Sequence, residues 1–98
     1  MWKGEGSADG VARYCDEHFP TRVLPQLRAL DGFLEARVLV RAAGERHELV
    51  VLTTWASLDA VKAFAGEDYE TAVFYPEDDR YLVERDLTCA HYDVDPHA

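Results

Sequence analysis

A chain of 98 residues, 48% of them hydrophobic, has enough apolar surface for one packed domain and too little length for two cores. Its 19 acidic and 10 basic residues leave a formal net charge of −9 without a Lys/Arg cluster, which argues against surfaces that hold nucleic acid or anionic membrane. No apolar stretch is long enough to span a bilayer, and "MWKGEGSADG" lacks the apolar core of a secretion signal, so a cytoplasmic single domain over residues 1–98 is expected.

In chain order, "MWKGE" is a short, weak first strand. "ADGVARYCDEHF" then places Val11, Tyr14, Cys15 and His18 at i, i+3, i+4 and i+7, one face of a helix. Pro20, which lacks a backbone donor, is expected to kink or end that helix near Phe19. "TRVLPQLRAL" restarts it with Leu24 and Leu27 inward. Pro25 is tolerated there as an early helical position, and Asp31-Gly32 is the closing turn.

Residues 33–41 and 47–55 read as strands joined by a hairpin through "AAGE". In the second of them Leu49 and Val51 point one way while Val50 and Leu52 point the other, so both faces of the sheet are expected to be covered. "SLDAVKAFAG" is the clearest helix, with Ser57 as N-cap, Leu58, Val61, Phe64 and Ala65 as its apolar stripe, and Gly66 as its stop. "EDYETAVFY" is expected to add a further helical turn or two, and "PEDDR" to form a solvated loop over the pocket. "YLVERDLTCAHYDV" is expected to close the chain as an extended strand.

The order strand, helix, strand, strand, helix, strand is the split βαβ, ferredoxin-like arrangement. The expected fold is therefore α+β, a ferredoxin-like βαββαβ with a four-stranded antiparallel sheet. Two such helices cover one sheet face only. A second copy packing sheet against sheet would cover the other, giving a homodimeric α/β barrel.

Over nearly its whole length the chain resembles the antibiotic biosynthesis monooxygenase-like proteins of the dimeric α/β-barrel superfamily. The likeness rests on "LPQLRALDGF", on "LVVLTTWASLDAVKAFAGEDYETAV" and, more weakly, on the terminal "HYDV". It implies a dimer with a pocket between sheet and helices in each subunit. Some relatives oxidise aromatic polyketides with dioxygen and neither flavin nor metal, and others degrade haem. The chain departs from the pattern in its shortened first strand and in containing no asparagine. Val51 and Val61 stand where polyketide-oxidising members carry Asn and Tyr, so Trp55 alone carries over from that set.

His18 is the candidate general base, since it shares an apolar helix face with Tyr14 and Cys15 and imidazole titrates near neutrality. The alternative is a neutral core histidine. Trp55 and Phe64 are candidate apolar walls of a site for a hydrophobic aromatic molecule, with Tyr14 as hydroxyl donor. His91 and Cys15 are further candidate binding residues, His91 facing either the helices or the dimer seam. His47 and His97 are expected in solvent. Cys15 and Cys89 match no metal or redox spacing, so two buried thiols are expected, a disulfide being the alternative. No histidine pair has i, i+4 ligand spacing, and neither a metal nor a cofactor is expected.

Overall fold

The computed structural model describes residues 1–73 and 75–97. Strand β1, Trp2–Gly6, leads into Ser7, whose Oγ accepts the Gly10 N–H at 3.0 Å and caps helix α1, Ala8–Arg13. The helix then runs without interruption through a π-helical segment, Tyr14–Val23, into helix α2, Leu24–Arg28.

Of the kink or end expected at Pro20, the end does not occur, and the helix passes through the proline as a π-helical segment. In an α-helix its ring would meet the carbonyl four residues back. The looser i→i+5 bonding of a π-helix relieves that clash, and the Leu24 N–H bonds to the Phe19 carbonyl in that manner. Thr21 Oγ1 donates to the Glu17 carbonyl beside the proline. Tyr14, His18, Phe19 and Val23 all stay buried as a result. Pro25 falls in the first turn of α2, as expected.

Gly32 makes the turn out of this arm at a φ of +85°, and a Cβ there would stand 2.6 Å from the Ala60 Cβ. Strands β2, Phe33–Ala43, and β3, Arg46–Trp55, form the expected hairpin around Gly44, whose φ is +68°. Helix α3, Leu58–Ala65, is capped by Ser57 Oγ accepting the Ala60 N–H at 3.2 Å and ends at Gly66 with φ +86°.

Past Gly66 the expected further helix does not form. Thr71 instead bridges Thr88, and the Ala72 N–H bonds to the Leu87 carbonyl at 3.0 Å. Phe74, in the same expected helical stretch, lies outside the described residues. "PEDDR" is a short 3-10 helix, Pro76–Arg80, with Asp78 buried rather than in solvent. The final strand is also shorter than expected. Only β4, Glu84–Arg85, joins the sheet, because the chain after it divides its hydrogen bonds between two neighbours. The Asp86 N–H goes to Lys3 and the Ala90 N–H to Met1, while the Cys89 N–H goes to Glu70.

The result is an α+β fold whose sheet has the order β2-β3-β1-β4, antiparallel at every pairing. This order agrees with the ferredoxin-like arrangement. Leu49, fully buried in β3, lies opposite Gly4 and Val40 on the inner face, under the helical arm. Val11, Tyr14, Phe19, Val23, Leu27 and Leu82 complete the buried cluster. The opposite face carries Leu39 across from Val50, with Leu52 beside them, among Lys3, Glu5, Arg37, Arg41 and Glu48. Leu39 is 53% and Leu52 38% exposed, so one chain leaves this face uncovered.

Candidate functional site

The π-helical segment aims His18 inward. Its ring lies 5.0 Å from that of Tyr14, 5.3 Å from Tyr81 and 5.6 Å, edge on, from Tyr75. Its Nε2 stands 2.8 Å from Oδ1 of Asp78, with side-chain exposures of 1% and 3%. Neither atom has a hydrogen-bond partner among the described residues. The contact is thus one of close approach rather than an aligned hydrogen bond. The other Asp78 oxygen, Oδ2, accepts the Tyr75 N–H at 3.2 Å, an acidic side chain at the third helical position reaching back to the start of its own turn.

Beside this pair, between sheet and helices, is a cavity of about 80 Å³. Trp2, Tyr14, Val51, Phe64, Tyr75 and Asp78 are among its walls. Burial, reinforced by the Asp78 carboxylate, pushes the Tyr14 hydroxyl well above the ordinary tyrosine range. The Tyr75 hydroxyl is raised by burial and by Asp78, against a lowering by Arg22, and it donates to Gln26 Oε1 at 2.6 Å. Both tyrosines are therefore neutral hydrogen-bond donors at physiological pH. A larger depression of about 410 Å³, at Asp79, Leu82, Val83, Glu84 and Arg85, lies apart from these groups and is bridged by the Arg85–Asp79 ion pair at 2.6 Å.

Of the residues singled out in the sequence, Tyr14 and Phe64 line the cavity. His18 lies one layer behind, against Tyr14 and Asp78. Trp55 fills the corner between β3 and α3. It stacks on Phe64 at 5.7 Å, meets Phe33 edge on at 5.4 Å, and donates its indole N–H to Thr53 Oγ1 at 2.9 Å. Trp55 thus touches the pocket through Phe64 and Thr53, which do line it. Cys15 packs against the core, its thiol pushed up by burial and by Asp16, and both cysteines are free. His91 is exposed, with Nε2 2.7 Å from the Tyr69 carbonyl and its ring edge on to Tyr69.

Asp78 and Thr53 are wall residues that had no role assigned from the sequence. Asp78 alone had a local signal: it follows Pro76 at the spacing of an acid that closes a helical first turn.

Among the described residues, no three His, Cys, Asp or Glu side chains are grouped to hold a metal ion. None of the described helices is long and apolar enough to cross a membrane. Comparison with protein-family models, with curated proteins and with solved structures finds no match to this chain.

Proposed function

We propose that the protein is a small-molecule enzyme that removes a proton from a hydrophobic aromatic substrate held between sheet and helices. Its likeness is to the cofactor-independent monooxygenases of antibiotic biosynthesis. The observation that carries this proposal is the buried His18–Asp78 pair at 2.8 Å, set against the wall of an apolar cavity. An imidazole and a carboxylate in contact away from water can hold an abstracted proton. Asp78 is at the wall and His18 behind it, so the proton passes to the pair, with His18 as its final holder.

In the oxygenase form, the substrate carbanion gives one electron to dioxygen. The radical and superoxide combine into a peroxide, which loses water and leaves a carbonyl. One CH₂ group and one O₂ become one C=O and one H₂O, with no other reductant. Without oxygen, the same deprotonation serves a cyclisation, an isomerisation or an elimination. A second copy covering Leu39, Val50 and Leu52 completes the fold as a dimeric barrel in the cytoplasm. The exposure of Leu39 and Leu52 and the two free thiols support these assignments.

The cavity's 80 Å³ favours a second proposal, a dimeric barrel that binds a ligand without transforming it, because enzyme and drug sites usually begin near ~300 Å³. A dihydroxyanthrone, whose carbanion reacts readily with oxygen, separates the two. The enzyme consumes oxygen with this probe and loses that activity in a folded His18→Gln variant. Turnover unchanged under strict anaerobiosis would overturn the oxygenase form, and unchanged turnover in the variant would overturn the role of His18.

A further inference from the structure

Among the described residues that line the cavity, Asp78 is the only carboxylic side chain, and no Lys, Arg or His is among them. Its side chain is 3% exposed, and Oδ1 has no aligned donor while Oδ2 is occupied by the Tyr75 N–H. Water screens a carboxylate poorly at such a depth, so a second anion in the cavity would be strongly repelled. An incompletely satisfied buried acceptor, in contrast, gains from a ligand that brings a donor.

The remaining walls fix the body of that ligand. Trp2, Tyr14, Phe64 and Tyr75 present aromatic surface, and Val51 presents aliphatic surface. The cavity of 80 Å³ is roughly half the ~150 Å³ that admits a benzene ring, so a single ring is accommodated only when one wall gives way. Tyr75 is placed to do so, because its hydroxyl is tethered to an exposed residue, Gln26.

We infer that Asp78 sets the specificity of this cavity, which takes the hydroxyl-bearing ring of a neutral aromatic by its donor and rejects aromatic carboxylates. The inference rests on the small-molecule function proposed above and names the class of molecule the site admits.

The test is equilibrium binding of phenol, anisole and benzoate to the full chain, followed by NMR shifts at Tyr14 and Phe64 and at the Trp2 indole. Phenol is expected to bind about tenfold more tightly than either comparator, a difference of ~1.4 kcal/mol. Anisole lacks the donor and benzoate adds a negative charge. Asp78→Asn keeps the shape of the side chain and removes its charge, so the gap between phenol and benzoate is expected to shrink to roughly threefold or less, in line with the loss of that repulsion.

Anisole or benzoate binding as well as phenol would overturn the inference, as would a gap unchanged in the variant or no saturable binding of phenol. If Asp78→Asn does not fold, the comparison of phenol with anisole in the native chain decides. Selectivity for phenol without anthrone turnover would sink only the enzymatic proposal. Anthrone turnover without that selectivity would sink only the specificity role of Asp78.

Discussion

His18 and Asp78 come from different helical segments and meet at 2.8 Å with almost no exposure to water. Two groups that water would otherwise solvate are fixed against each other, so neither can be removed without stranding its partner.

Removing one member is therefore expected to cost far more than removing both. His18→Leu or Asp78→Leu should each lower the unfolding free energy by about 3–5 kcal/mol, because each leaves a buried polar or charged group without its partner. The double variant is expected to recover most of that loss, since an apolar pair of similar volume needs no solvation. Urea unfolding of the four proteins measures the coupling. Additive effects of the two substitutions would show that the contact has no energetic weight.

Tyr14 gives the alkaline side of the stability profile. Its hydroxyl is raised in the folded chain by burial and then by Asp78, so the native state keeps a proton that the unfolded state releases near pH ~10. The associated stability is whole below that pH and falls as pH rises beyond it. Melting temperature followed from pH 8 upward is expected to drop above about pH 10. Tyr14→Phe should flatten that limb, and a limb unchanged by the substitution would assign the loss to other groups.

Gly10 separates two opposing effects of one methyl group. Alanine is the better helix former by ~1 kcal/mol, which alone would stabilise α1. A Cβ at this position, however, would run into the Tyr81 backbone carbonyl, which cannot rotate away as a side-chain tip could. Overpacking typically costs about 1–3 kcal/mol, so Gly10→Ala is expected to be net destabilising, as read by its urea midpoint. A more stable variant would mean that the 81–82 segment yields readily.

The outer sheet face gives the test of assembly. Leu39 and Leu52 stand exposed around Val50, and Leu39→Arg with Leu52→Glu would set charges into the middle of the patch. Light scattering is expected to find a dimer for the native chain and a monomer for the double variant at the same concentration. A native monomer would remove the basis for the barrel.

Much of the fold was legible because its signals are local. The Ser57 cap and the Gly66 stop fixed α3, and Gly44 marked the hairpin between β2 and β3. Pro20 left a kink and an end both open because its effect depends on whether the surrounding turns can loosen, and packing decides that. The final strand misled because its extended pattern was real but its partners were split between the first residues and the 70–72 stretch. In the site, His18 could be found from helical periodicity. Asp78 could not be told from Glu77 or Asp79 by residue type; its spacing after Pro76 hinted at a cap, and the placement of the 3-10 turn beneath the helical arm sets it against His18.

The π-helical segment also has a consequence for sequence length. Its i→i+5 spacing places more residues in each turn than an α-helix does, so Tyr14–Val23 behaves like a helix holding surplus sequence. Deleting one residue there, with the looser turns kept, would turn everything on one side of the cut by roughly 100° relative to the other. Either Val11 and Tyr14 or Val23 and Leu27 would then leave the sheet. The segment acts as a phase adjuster between two apolar stripes, and its residue count is constrained even at positions where side-chain identity is free.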